Sequence, residues 1–114
     1  MTALDPARRP GEFVFVAGED ASAHAVVRED EGVTAVLPRA RADELGLAYD
    51  FVAAWITLRV DSTLEQVGLT ALFARVLADA GISGNVLAGL HHDHLLVPAD
   101  RADEAIALLR TVDW

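Results

Sequence analysis

The sequence predicts an α+β domain, and three observations in its C-terminal half carry that prediction. Residues 52–60 alternate as a strand requires, with Ile56, Leu58 and Val60 on one face and Trp55, Thr57 and Arg59 on the other. Leu69, Leu72, Phe73, Val76, Leu77 and Ala80 recur at the three-and-four spacing of an amphipathic helix, which Gly81 ends. Two short β-prone runs, Ile82 to Ala88 and His94 to Val97, flank a turn at Gly89 to Asp93 that is short enough for an antiparallel hairpin.

Pro98 closes the second of these strands. Asp100 stands where it can cap a last helix whose buried stripe is Ala102, Ala105, Ile106, Leu109 and Val112. The expected order over residues 52–114 is therefore β-α-β-β-α. Upstream, Phe13 to Ala17, Ala23 to Val27 and Val33 to Leu37 read as three strands, separated by acidic turns at Glu19-Asp20 and Arg28 to Gly32. Pro38 stops the third, and Arg39 to Leu45 has short helical character that ends at Gly46. Residues 1–10, where Pro6 and Pro10 bracket Arg8 and Arg9, read as a flexible N-terminal tail.

Composition bounds what such a domain can meet. With 114 residues and 53% hydrophobic content the chain suits one continuous core. Nine basic residues, all Arg, stand against eighteen acidic ones, and the net charge of −9 repels phosphate backbones and anionic membranes. Neither nucleic acid nor a membrane is expected as a partner. The longest apolar run, Phe51 to Ile56, is far short of the ~18 residues a membrane span needs. The chain has no Cys, so it holds no disulfide, thiol nucleophile or thiolate ligand, which fits a reducing cytoplasm. Residues 1–10 also lack the apolar stretch of a secretory signal, so a soluble, cytoplasmic, unprocessed protein is expected.

The stretch from Ser62 to Thr70 is the first candidate site. Ser62 and Glu65 have capping-box spacing, which by itself accounts for them as a helix start. Gly68 is less easily explained, because a Gly costs about 1 kcal/mol relative to Ala inside a helix and leaves room for close approach. Free N–H groups at a helix start beside a Gly receive a carboxylate or phosphate well.

His91, His92, Asp93 and His94 are the second candidate, since imidazoles and a carboxylate all ligate zinc. Adjacent strand residues point to opposite faces, so His92 and His94 share one face and Asp93 takes the other, and His24 is the sole imidazole elsewhere. A polar hairpin turn whose imidazoles hydrogen-bond locally is the simpler reading, and no metal is expected. Ser22, Ser62 and Ser83 have no nearby His or nucleophile-elbow pattern. Gly81-Ile82-Ser83-Gly84 lies between helix and strand, the reverse of a dinucleotide loop, and Asp103-Glu104 reads as surface charge. Neither catalysis nor a cofactor is expected.

Several separated motifs together carry a resemblance. Trp55-Ile56-Thr57-Leu58, Leu64-Glu65-x-Val67-Gly68-Leu69-Thr70-Ala71, Gly81-Ile82-Ser83-x-Asn85-Val86-x-Ala88-Gly89 and His92-Asp93-His94-Leu95-x-Val97-Pro98 span about half the chain and resemble the small bacterial ACT-domain proteins. The resemblance implies a ferredoxin-like βαββαβ fold, an antiparallel sheet with helices on one face. It also implies two ACT-like units in tandem packed as one globular domain, an abbreviated one over residues 11–50 and a fuller one over 51–114. Such domains regulate by binding amino acids, and commonly pair across subunits, so a homodimer is expected.

By the same resemblance the ligand loop comprises Ser62, Glu65, Val67, Gly68, Leu69 and Thr70, with Asn85 and Val86 on the adjacent strand and His92, Asp93 and His94 as weaker candidates. The chain departs from the plain ACT pattern, in which an Asp and a Gly lie close together, because Asp61 and Gly68 are seven residues apart. The expectation is a regulatory domain in which N–H groups near Gly68 hold a ligand carboxylate, Ser62, Glu65, Thr70 or Asn85 hold its polar groups, and Glu65 suits a cationic amine. The alternatives are a ligand-free interaction or oligomerisation module, using an exposed sheet face around Trp55, Thr57 and Arg59, and a metalloenzyme using His92 and His94.

Overall fold

The computed structural model describes residues 2–114, which form two compact units. Gly11–Ala53 make one; the chain up to Pro10 and from Ala54 to Trp114 makes the other. In chain order the elements begin with β1 (Pro6–Arg8), β2 (Phe13–Ala17), β3 (Ala25–Glu29), β4 (Gly32–Pro38) and α1 (Arg39–Glu44). They continue with β5 (Val52–Leu58), α2 (Leu69–Asp79), β6 (Asn85–Ala88) and β7 (Asp93–Pro98), and a single 3₁₀ turn (Ala99–Arg101) leads into α3 (Ala102–Arg110). Among the described residues no helix is long and apolar enough to cross a membrane.

In the unit Gly11–Ala53, β4 pairs antiparallel with β2 on one edge and β3 on the other, and β2 also pairs with Val52 and Ala53 at the start of β5. Val14, Val16, Ala35 and Leu37 face Ala42 of α1, making a small core to which Leu47 and Tyr49 are added. The acidic turn before β3 is held by Asp20, whose carboxylate accepts from Arg41 and from both the backbone and the hydroxyl of Ser22. Arg41 first, then Ser22, keeps that carboxyl down at about 2. The short helix starts at Arg39, which donates to Tyr49 Oη at 3.0 Å and Glu12 Oε1 at 2.9 Å, and it ends before Gly46 at φ 67°.

In the other unit the strand order is β1-β5-β7-β6, with α2 and α3 against one face. Ala54, Ile56 and Leu58 of β5 and Leu95 and Val97 of β7 meet Leu69, Phe73 and Leu77 of α2 and Ala102, Ala105 and Leu109 of α3. Period two in the strands and period 3.6 in the helices produce this face, as the sequence predicts. The last helix differs in its start: no side chain caps it, and Asp100 lies inside the 3₁₀ turn.

Two expectations about this unit are corrected. Residues 1–10 are not a loose tail. β1 pairs with β5 in the register Pro6 to Leu58, Leu4 is fully buried, and Thr2 exchanges backbone hydrogen bonds with Trp114. Pro6 is compatible with this because β1 pairs on one side alone, where a missing N–H costs no ladder bond. Nor is Trp55 open to solvent on the second sheet face, where it is 3% exposed while Arg59 stays exposed; the indole is covered. Its ring lies under the Arg9 guanidinium, 4.1 Å from Cζ to the ring centroid, and beside His94.

Candidate functional site

Between β5 and α2 the chain makes a tight turn. The Thr63 N–H donates to Gln66 Oε1 at 3.0 Å, and the Gln66 N–H returns to the Thr63 carbonyl at 3.2 Å. The capping pair is therefore Thr63 and Gln66, one residue on from Ser62 and Glu65, and it closes a turn ahead of the helix. Thr63-x-x-Gln66 fits the same capping-box pattern, and that is the signal by which the sequence could have shown it.

α2 starts only after Gly68, which stands at φ 99°, ψ −19°, in left-handed geometry that suits Gly. No side chain caps this helix and its first turn carries no acidic residue. The leading N–H groups, which have no intrahelical acceptor, thus remain free for an anionic group.

A cleft of about 100 Å³ opens beside this helix start. Ser62, Thr63, Leu64 and Gln66 line it from the turn, Leu69 and Thr70 from the helix. Ala88, Gly89 and Asp93 complete it from the β6–β7 hairpin. Of the residues the sequence singles out, Ser62, Leu69, Thr70 and Asp93 line this cleft, and Gly68 stands at the helix boundary. Thr63, Leu64 and Gln66 fall within the candidate stretch Ser62 to Thr70 without standing out singly, and Ala88 and Gly89 lie outside it.

Glu65 and the almost fully exposed Val67 lie outside the lining, as does Asn85. Val86 borders a different cleft of about 270 Å³, walled by Phe73, Leu77, Ile82 and Leu95.

His92 and His94 do not bond within their own hairpin, as a locally bonded turn would, but reach β5 and the residues just after it. His92 Nδ1 lies 3.3 Å from the Val60 carbonyl. His94 Nδ1 accepts from Trp55 Nε1 at 3.2 Å and lies 2.9 Å from Thr57 Oγ1. Burial draws the His94 pKa below its ordinary value, helped by the positive charges of Arg9 and His92 and opposed by Asp93. Among the described residues no group of three or more His, Asp or Glu side chains is placed to hold a metal ion.

Against known proteins, residues 1–54 and residues 51–111 each match a family model described as an ACT domain. None of the curated proteins matches the chain. Among solved structures it is similar to a protein of unknown function from Vibrio cholerae, described as a possible transport protein. That likeness has 40% identity and a TM-score of 0.89, over 95% of this chain and 88% of that one. A protein from Agrobacterium tumefaciens is similar at 18% identity and TM-score 0.73, over 89% of this chain and 82% of the other. The ligand-free regulatory subunit of aspartate kinase from Thermus thermophilus shares the fold at 8% identity and TM-score 0.71, over 99% of both chains.

Proposed function

Because the chain belongs to the ACT-domain family, whose members are regulatory, we propose that it senses an α-amino acid or a similar small carboxylate bound in the cleft at the start of α2. One observation carries the reading: the uncapped start of α2 opens onto a concavity that also gathers Ser62, Thr63, Gln66, Thr70 and Asp93. In this arrangement the N–H groups of Leu69 and Thr70 receive the ligand carboxylate, and the hydroxyls and the Gln66 amide hold its remaining polar atoms. Gly68 sets the backbone that exposes those N–H groups. Glu65, Val67, Asn85 and Val86 have no contact with a ligand confined to this cleft.

A fold shared with the regulatory subunit of an aspartate kinase supports a regulatory role. The reading carries with it a cytoplasmic, homodimeric bacterial protein that modulates a partner and does not itself catalyse. Its test is a thermal-shift screen of the full chain against the common amino acids, because a native-state ligand at 100 times its Kd adds about 2.7 kcal/mol. For a domain of this size that raises Tm by several degrees. No stabilisation by any amino acid, with calorimetry in agreement, overturns the reading.

A ligand-free interaction module is favoured by a separate observation. β3 is an outer strand whose Val26 and Val27 are both exposed, although they point to opposite faces. If this edge binds protein, Val27→Lys lowers the oligomeric state in sedimentation without changing amino-acid binding.

A further inference from the structure

We infer that His94 is a proton-operated switch between two partners on β5: neutral, it accepts the Trp55 indole N–H, and protonated, it donates to Thr57 Oγ1 and lets the indole go. The inference stands on the geometry of this sheet face and holds whether or not the cleft takes a ligand. His94 Nδ1 lies 3.2 Å from Trp55 Nε1 and 2.9 Å from Thr57 Oγ1, so one ring nitrogen meets both groups. The two differ in what they can do, because an indole nitrogen only donates whereas a hydroxyl donates or accepts. The proton comes from solvent, which the half-buried ring still meets, and adds to the Nδ1 lone pair of a ring already protonated on Nε2. Indole and imidazolium then present hydrogens to each other. The Thr57 hydroxyl, by turning, becomes the acceptor of a charge-assisted bond.

The surroundings set the threshold. Burial first, then Arg9 of β1 and His92 of the hairpin, disfavour the imidazolium, and Asp93 favours it. From β5 come the uncharged Trp55 and Thr57, with Arg59 further along the same face paired to Asp5 at 3.0 Å, and β6 sets Leu87 opposite His94. The other edge of the ring lies against Gly89, where a Cβ would stand 3.1 Å from His94 Nε2. Gly89 in turn donates its N–H to the His92 carbonyl at 2.9 Å. A ring that turns toward Thr57 therefore changes its contact with the hairpin, which walls the cleft through Ala88, Gly89 and Asp93. On its other side the imidazolium repels the Arg9 guanidinium, 4.1 Å from the indole centroid, and so loosens the cover of Trp55.

Nuclear magnetic resonance on the full chain, from neutral pH downward, tests the exchange. The Trp55 indole N–H, told apart from that of Trp114 by the Trp114→Phe variant, is expected to shift with the same midpoint as the His94 ring, and the Ala88 and Gly89 amides to shift with it. Above that midpoint the ring nitrogen shifts are expected to show Nδ1 unprotonated. His94→Asn, whose side-chain oxygen accepts from the indole at every pH, is expected to remove the shared midpoint from the indole and Gly89 resonances. Thr57→Val takes away the acceptor of the acid form and is expected to lower the His94 midpoint by roughly half a pH unit or more. An indole resonance that ignores the His94 titration, or keeps its midpoint in His94→Asn, overturns the switch. A midpoint that stays or rises in Thr57→Val, with the fold confirmed by circular dichroism, overturns the exchange to Thr57. Ala88 and Gly89 amides that do not follow the titration overturn the link to the hairpin.

Discussion

The indole Nε1 of Trp55 donates to Nδ1 of His94 at 3.2 Å, and that one contact determines the state of the imidazole. An indole nitrogen can only donate, so Nδ1 must present a lone pair and the neutral ring carries its proton on Nε2. Thr57 Oγ1 lies 2.9 Å from the same nitrogen, where with Nδ1 unprotonated it can only share that lone pair as a second donor. Arg9 lies over the indole and places a positive charge on the same side, which further disfavours imidazolium.

Stability should therefore depend on pH through His94. Its folded pKa is depressed below 6.5, chiefly by burial, so the unfolded chain binds the proton more readily. The contribution is fully present above pH 6.5 and is lost as pH falls through the folded value. Nuclear magnetic resonance titration of the imidazole should show a midpoint below 6.5. His94→Asn should flatten the fall in Tm over that window, and an unchanged slope would refute the assignment.

Trp55→Ala should unfold the protein more readily, not merely dissociate it. Truncating a buried Trp costs about 3–5 kcal/mol, and Trp55 is buried within a single chain. Denaturant midpoints should fall, and they should not depend on protein concentration if the loss lies within the protomer. Restoration of the midpoint at high concentration would mean that the indole is a subunit contact after all.

Leu4→Ala tests the N-terminal strand. A residue in a loose tail changes stability by less than about 0.5 kcal/mol, whereas a buried Leu truncated in a packed core costs about 2–5 kcal/mol. Leu4 has no exposed surface, packs with Ile56, Leu58 and Val112, and accepts the Val60 N–H at its carbonyl. The larger loss is expected in urea unfolding.

Legibility followed the kind of force that places each element. β2 coincides with the predicted Phe13 to Ala17, and α2 runs from Leu69 to Asp79 against a stripe predicted from Leu69 to Ala80, because a buried face imposes periodicity on its own residues. β1 has three residues and two prolines nearby, and its place depends on pairing with β5, some 50 positions away, which no local pattern reveals. The burial of Trp55 is not legible in the sequence for a related reason: alternation tells which residues share a face, but not what covers it. At the candidate cleft the helix start and Thr70 were readable, whereas Ala88 and Gly89 enter only because the hairpin folds back beside the turn.

Gly68→Val should retain the fold and weaken any ligand in the cleft. A Cβ at Gly68 meets nothing within 4 Å, so no clash arises, but φ 99° is strained for a branched residue. The cost is roughly 1–3 kcal/mol, taken up by reshaping the backbone that presents the first N–H groups of α2. Gly68→Asn, which tolerates left-handed geometry, should recover most of the affinity. Equal affinity in both variants and the wild type would place the ligand elsewhere.

Gly89→Ala should connect the two sites, because Gly89 lines the cleft on one side and supports His94 on the other. A Cβ there would stand 2.9 Å from the His92 carbonyl oxygen and 3.1 Å from His94 Nε2, and the same residue donates its N–H to that carbonyl at 2.9 Å. The 2.9 Å contact with a backbone oxygen forces the hairpin itself to open, and the imidazole at 3.1 Å shifts with it, so its contact with Trp55 lengthens. The variant should lose about 1–3 kcal/mol, its His94 pKa should rise towards 6.5 as burial is relieved, and its Trp55 fluorescence should change. Gly84→Ala is the control, since its Cβ would meet only the flexible end of Leu77 at 3.1 Å and should leave the imidazole untouched. A His94 titration that is the same in Gly89→Ala as in the wild type would show that the hairpin backbone does not hold the ring against the indole.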